Sequence, residues 1–332
     1  MSNKLIVVVG ITGNQGGSVA ETFLTHPDWK IRGITRDISK PAAQHWTTRG
    51  VEMVAADLDN PSSLTSAFTG ATAIFGTTDF VTLFSAPETL AAAQARGITP
   101  NEIGEERERT QAINLVDAAA TALPTLQRFV LSTLSDTKGW SKGKITFNLH
   151  FDGKWAAVQH LKSKHAGLWA KTSLLQIGLY ASNWKQGANV PRKVGEGVYK
   201  VGLPMSGDAK FPMMDVNRDT GPLTQALTLV PPGKNLMGAG ALLSWNEWCA
   251  IWSRVHGVTC TFEQQDRKVL EDAMPYFGRE LADMFQYIDE FGYDGGDPTT
   301  IYPWDLDVAG GVKVTGMEEY IRSEDWSAVL QG

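Results

Sequence analysis

The chain has 332 residues, of which 42% are hydrophobic and 20% charged, with a formal net charge of −6. That length buries a large core as one big domain or two interleaved ones. The mild acidity excludes the basic footprint of a nucleic-acid binder, and the apolar run at residues 5–9 is far too short to span a bilayer, so no membrane association is expected. Met1-Ser2-Asn3-Lys4 shows no secretory-leader pattern. The two cysteines, Cys249 and Cys260, read as reduced thiols of a cytoplasmic protein rather than as a disulfide.

In chain order, Lys4–Val9 is apolar and β-branched and predicts a buried strand, with a helix over residues 17–25. Residues 31–35, 51–55 and 71–76 predict three more strands, separated by helices over 41–49 and 61–67. A polar stretch broken by prolines, 77–103, leads into a long helix over 105–120. Ala112, Leu115, Val116 and Ala119 share one face of that helix. Residues 128–132 predict a fifth strand, 155–161 and their continuation a helix, and 172–178 a sixth strand. Two short β-like runs between 187 and 211 predict a hairpin. Residues 262–291 read as mostly helical, with Leu270, Met274, Phe277, Leu281, Met284, Phe285 and Ile288 on a buried stripe. The alternating first half predicts an α/β fold, a Rossmann-type doubly wound parallel sheet. The expected division is a dinucleotide-binding domain over 1–180, with later returns near 212–230 and 255–260. A smaller, mainly helical substrate domain is expected over 181–332.

The turn "GITGNQGG" places Gly10, Gly13 and Gly16 between the first strand and the first helix. Gly10 suits the tight turn, Gly13 lets a pyrophosphate approach the backbone, and Gly16 lets the helix pack closely. The helix N-terminus offers free N–H groups to phosphate, and Thr12, Asn14 and Gln15 add side-chain donors and acceptors. The alternative is a tight turn that binds nothing. Past the second strand, "TRDISK" supplies Arg36 and Lys40, two cations suited to a 2′-phosphate. Asp37 stands one position away and suits a ribose hydroxyl instead. The balance predicts NADP rather than NAD. Asp57 and Leu58 fall at the adenine edge after the third strand, and Thr77 and Thr78 beside the cofactor after the fourth.

Taken in order, "GITGNQGGSVA", "TRDISK", "DLDNPSSL", "RFVLSTLSD" and "HFDGKWAAVQHL" resemble the NmrA-like proteins, atypical members of the short-chain dehydrogenase/reductase superfamily. The likeness continues through "PMMDVNRDTGP" and "GRELADMFQYI" and so covers most of the chain. It implies a Rossmann domain, NADP(H) binding and a smaller C-terminal domain over the nicotinamide end. It implies no single function: some members are reductases, others are cofactor-responsive regulators that bind partner proteins, and fungal members often accompany secondary metabolism. The superfamily's Tyr-x-x-x-Lys corresponds to His150-Phe151-Asp152-Gly153-Lys154, so the lysine is kept and the tyrosine is not. Lys154 is expected to bind the nicotinamide ribose, or to donate the proton itself, or to be a surface charge at a helix start. His150 exchanges a proton near neutral pH, or caps the helix. Ser132 and Thr133 orient a substrate carbonyl, or end the strand. In "QIGLYASNW", Gly178, Tyr180 and Asn183 resemble the segment beneath the nicotinamide, with Tyr180 supplying the missing hydroxyl or walling the site.

Other patterns carry less. "GWSKG", residues 139–143, matches G-x-S-x-G without the strand that motif requires before its serine. His160 and His165 lie five apart on one expected helix, which points them to different faces, and no metal-ligand spacing is present, so no metal is expected. Of eleven tryptophans, Trp184, Trp245, Trp248, Trp252 and Trp304 lie in the half expected to cover a substrate, where most pack a core. Trp184, next to the cofactor segment, is the candidate substrate contact. The expected activity is NADP(H)-dependent reduction of a carbonyl, imine or iminium in a bulky, partly aromatic molecule, with ring closure coupled to it in a specialised variant. The alternative is a non-catalytic NADP(H) sensor with a protein partner.

Overall fold

The computed structural model describes residues 4–187 and 189–331; the leader-free reading of residues 1–3 falls outside them. Eight strands form one parallel sheet. Six come in succession: β1 (Lys4–Val9), β2 (Trp29–Thr35), β3 (Glu52–Ala55), β4 (Ala73–Gly76), β5 (Arg128–Thr133) and β6 (Thr172–Ile177). Two three-stranded sheets lie outside it. One holds β7 (Leu179–Tyr180), β10 (Phe211–Met214) and β12 (Ala241–Leu243); the other holds β8 (Arg192–Gly195), β9 (Val198–Leu203) and β13 (Thr259–Gln264). The remaining strands of the large sheet, β11 (Asn235–Gly238) and β14 (Thr300–Ile301), arrive late in the chain. The spatial order is β3-β2-β1-β4-β5-β6-β11-β14. The order reverses between β1 and β4, and in such sheets ligands bind in the crevice outside the strand C-termini at that reversal.

Among the described residues the α-helices are α1 (Asn14–Leu24), α2 (Pro41–Thr48), α3 (Pro61–Phe68), α4 (Phe80–Phe84), α5 (Pro87–Arg96), α6 (Pro100–Thr121), α7 (Thr137–Trp140), α8 (Leu149–Lys164), α9 (Ala166–Trp169), α10 (Val216–Leu229), α11 (Trp245–His256), α12 (Arg267–Ala273), α13 (Gly278–Phe291), α14 (Met317–Ser323) and α15 (Ser327–Leu330). Alternation along β1 sends Ile6 and Val8 to one face, where they pack with Phe23 of α1 and Leu223 and Leu227 of α10. Val7 and Val9 face Phe68 of α3, Leu115 of α6 and Leu161 of α8. A third core joins α11 and α13 to the small sheets. None of the described helices is long and apolar enough to cross a membrane.

The structure corrects several element boundaries. The stretch 77–103 holds α4, α5 and the start of α6, because Pro87 and Pro100 sit in the first helical turn, where the missing N–H costs nothing. Asp79 and Thr99 cap α4 and α6. Phe262 belongs to β13, not to a helix: "TCTFEQ" pairs in parallel with all six residues of β9. The hairpin expected between 187 and 211 is present as β8–β9. The chain returns to the large sheet at β11 and β14, whereas residues 255–260 end α11 and begin β13.

Candidate functional site

The C-terminal edge of the large sheet gathers residues scattered from position 10 to position 183. Gly10 has φ +69, and a Cβ there would meet Thr77 Cγ2 at 3.3 Å, so the β1 turn abuts the β4 end. A Cβ on Gly16 would stand 2.3 Å from the Gly10 carbonyl oxygen, which only glycine avoids. Gly13 precedes α1 as its N-cap and supplies no side-chain hydrogen bond. By contrast, Asn60, Thr99 and Ser244 cap α3, α6 and α11. The first-turn amides of α1 are thus left for an anion.

Side chains tie this loop to the neighbouring strands. Ser132 Oγ, at the end of β5, donates to Gln15 Oε1 at 2.7 Å, and Gln15 Nε2 donates to Tyr180 Oη at 2.8 Å. Burial pushes the Tyr180 phenol up to about 12; a phenol so held gives a hydrogen bond far more readily than a proton. Thr133 is fully buried and bonds the Leu134 carbonyl at 3.3 Å, the strand-ending role rather than a substrate-facing one. Asn183, in the 3-10 turn Ala181–Gln186, is partly exposed.

At the far end of the edge, Arg36 and Lys40 are exposed and make no hydrogen bond or close ion pair among the described residues, with Glu88 and Asp37 as their respective acidic neighbours. Asp37 is occupied in its own turn. Its Oδ1 accepts from the Ser39 hydroxyl at 2.6 Å and the Ser39 amide at 2.9 Å, and these bonds hold its carboxyl below the usual range. Asp57 likewise closes a local turn on the Asp59 amide, while the Leu58 carbonyl accepts from Asn114. The first-turn amides of α1 and the two exposed cations fit a dinucleotide bearing a 2′-phosphate.

The HFDGK segment opens α8. Lys154 Nζ is paired with Glu108 of α6 and lies 3.4 Å from both the carbonyl and the hydroxyl of Thr78. Thr78 Oγ1 also donates to Glu108 Oε1 at 2.7 Å. Glu108 is fully buried, and its Oε2 has no hydrogen-bond partner among the described residues. Gly153 makes room for it, since a Cβ there would stand 2.9 Å from that oxygen. Lys154 is therefore not a surface charge. His150 Nδ1 lies 2.7 Å from Glu280 Oε1, which also accepts from the His150 amide at 2.8 Å. Asn101 Nδ2 holds the other oxygen at 3.1 Å. With Nδ1 committed to Glu280, Nε2 is the ring position left to exchange a proton. Phe80 and Phe277 lie 5.9 and 6.4 Å from the imidazole, and Phe84 stacks on Phe277 at 5.0 Å. Asp152, between the two, pairs with Lys138 at 3.0 Å, and burial pushes its carboxyl up to about 6.

Glu108 and Glu280 are the residues that motif reading missed. Glu108 stands one turn before Ala112 and Glu280 one turn before Met284, but the same buried faces also carry Glu105 and Gln111 on α6 and Asp283 on α13, so periodicity alone does not single them out. Trp184, the expected substrate contact, lies among core side chains. Its ring is stacked on Trp326 at 3.9 Å and its Nε1 donates to Tyr320 at 3.2 Å, so it packs the third core. Trp245, Trp248 and Trp252 are fully buried on one stripe of α11, and Trp304 is exposed against Tyr302. The aromatic rings near His150 are phenylalanines. Ser141 ends the four-residue α7, with no strand leading into it. Cys249 and Cys260 are free and buried. His160 and His165 do not diverge: both rings meet Asp117, because α8 stops at Lys164 and His165 leaves the helix at φ −129, ψ 62.

A model of the NmrA-like family matches residues 2–327. Among curated proteins, the NmrA-like family domain-containing oxidoreductase FrzB of Cladobotryum sp is 27% identical over 273 residues, covering 78% of this chain and 75% of that one. The similarly described ptmS of Penicillium ochrochloron is 27% identical, over 73% and 69%. Among solved structures, the negative transcriptional regulator NmrA superposes with TM-score 0.68 at 18% identity, over 97% of this chain and 95% of that one. A triphenylmethane reductase of Citrobacter sp., solved with NADP(H), superposes with TM-score 0.66 at 15% identity, over 96% and 99%.

Proposed function

The chain belongs to the NmrA-like family, and from that premise we propose that it is an NADP(H)-dependent oxidoreductase acting on a bulky, hydrophobic, partly aromatic substrate at a carbonyl, imine or iminium carbon. The observation that carries the reading is the contact of Lys154 with Thr78. It brings the HFDGK face of α8 to the strand-end edge that also holds the uncapped α1. The oxidoreductase names of the curated relatives and the NADP(H) bound to a structural neighbour support it.

The α1 amides, with Thr12, Asn14 and Gln15, hold the pyrophosphate, and Arg36 and Lys40 hold the 2′-phosphate. Leu58 and Asp57 border the adenine, and Thr77, Tyr180 and Asn183 border the nicotinamide half. The cofactor, when bound, supplies the hydride. Glu108 fixes the Lys154 ammonium where it binds the ribose. Ser132 keeps Gln15 in place until substrate binds, when its one hydroxyl hydrogen turns from Gln15 to the substrate oxygen. His150, oriented by Glu280, hands a proton from Nε2 to that oxygen. Phe80, Phe84 and Phe277 give the substrate an apolar, aromatic border. An iminium substrate needs no proton at the reacting atom, which suits a site lacking the superfamily's tyrosine.

The histidine in place of that tyrosine favours a second reading, an NADP(H)-binding regulator that changes its hold on a protein partner. Incubation with 4-deuterated NADPH and a panel of aromatic ketones, imines and iminium salts separates the two. Deuterium in a product supports the enzyme; transfer to the ketones should be much reduced in His150→Gln while NADPH still binds, and transfer to the iminium salts much less so. NADPH binding with no transfer to any member of the panel supports the regulator.

A further inference from the structure

The chemistry-bearing residues that the dinucleotide site does not use include one close cluster on the opposite edge of the sheet. Asp117 lies near the C-terminal end of α6, which leads into the start of β5; His160 lies near the end of α8, and His165 follows it on the way to β6. Both imidazoles aim Nε2 at the same atom, Asp117 Oδ1, at 2.6 and 2.7 Å. Their ring centroids are 5.5 Å apart, and the three ligand atoms all lie within 4.8 Å of one another. No motif spacing announces this group. It arises because α8 ends at Lys164 and the backbone at His165 turns the second ring back over the first.

We propose that Asp117, His160 and His165 form a binding site for a divalent transition-metal ion of the zinc class, distinct from the dinucleotide site. Two imidazole nitrogens and one carboxylate oxygen are a donor set that such ions take readily. Magnesium and calcium prefer all-oxygen shells, so the site discriminates against them. Ligand atoms on a tetrahedral zinc at bond lengths of about 2.0–2.2 Å stand roughly 3.3 Å apart, so a small opening of the present hydrogen-bonded triad admits the ion. The side chains are partly exposed, which gives the ion an entry path and leaves its remaining positions to water. A bound ion ties the end of α6 to the end of α8 and stabilises the folded chain by mass action.

The test uses the full chain, free of any histidine tag and stripped with EDTA, titrated calorimetrically with ZnCl2 and, separately, MgCl2. Asp117→Asn, His160→Gln and His165→Gln are run beside it, with the melting temperature of each measured with and without zinc. The expected result is one zinc equivalent bound by the wild-type chain and a higher melting temperature with zinc. Each variant should bind about tenfold or more weakly and lose the thermal shift, with no heat from magnesium. No zinc binding by the wild-type chain, or equal binding by all three variants, overturns the proposal.

Discussion

Truncating Glu108 to alanine leaves the Lys154 ammonium, only 12% exposed, with no carboxylate beside it. Breaking a buried pair from one side costs about 3–5 kcal/mol, whereas removing both partners is far milder. Urea unfolding should therefore find Glu108→Ala less stable by about 3 kcal/mol or more, with Glu108→Ala/Lys154→Met recovering part of the loss. A single variant within about 1 kcal/mol of wild type would mean the pair is effectively solvated. Arg36 and Lys40 stand at the other extreme, exposed and in no close ion pair among the described residues. Replacing both by alanine should leave stability unchanged. It should weaken NADPH binding about tenfold or more, with NADH binding little altered, as charge-assisted bonds to the 2′-phosphate are lost. Fluorescence titration with both nucleotides reads this directly, and equal losses for the two would return the ribose to Asp37. These side chains also mark what a sequence discloses at this scale. The cations were legible because they follow a strand end at fixed spacing. The partners of Lys154 and His150 were not, since Glu108 precedes Lys154 by 46 positions and Glu280 follows His150 by 130. Periodicity did not single out either, since Glu105, Gln111 and Asp283 share the same buried faces.

Helix starts decide how the site edge is built. Prolines begin α2, α3, α5 and α6, and a side-chain cap is present on α3, α4, α6, α10 and α11. At α1 neither device is used: the Gly13 amide donates to the Gly10 carbonyl at 2.9 Å, and Gln15 ties the turn to Ser132 and Tyr180. Gly16→Ala drives a methyl into that carbonyl, and both atoms belong to fixed backbone, so a side-chain rotation cannot relieve the contact. The variant should lose NADPH binding and melt several degrees lower; a variant that binds normally would show that the turn relaxes without consequence. Strands with uniform apolar runs and the long stripe of α6 were legible from periodicity. The region 77–103 was obscured because proline signals both a break and a beginning, and β13 because its six residues read equally well as the approach to a helix.

Across the whole molecule, burial leaves a signature in acid. Asp152 and Asp219 are both pushed up to about 6, chiefly by burial; Asp219 accepts from the Thr315 hydroxyl and amide through Oδ1, while its Oδ2 is buried without a partner. In the unfolded chain such carboxyls ionise near pH 3.9. Between about pH 4 and 6 the folded state holds more protons than the unfolded one, so stability falls as pH rises through that window. Below about pH 4 the two states are protonated alike, and above about pH 6 the full cost persists. Carboxylates held low by cationic partners, such as Glu21 beside Arg49 and Glu106 beside Arg96, act in the opposite sense, so urea unfolding from pH 4 to 7 should show this contribution as the difference between wild type and Asp219→Asn. In Asp219→Asn the slope should be shallower by up to about 1.4 kcal/mol per pH unit, and an unchanged slope would remove Asp219 from the account. The parallel sheet itself was legible, but its last two strands were not, since β11 has four residues and β14 two, too few to carry a period. Their late arrival bears on synthesis. Until Asn235–Gly238 leaves the ribosome, β6 is an edge strand, and its sequence "TSLLQI" is uncharged and buried along its whole length in the finished fold. For some sixty residues of elongation this chain presents an unguarded template for pairing with a neighbour, so the pace of translation between β6 and β11 governs how much of it escapes aggregation.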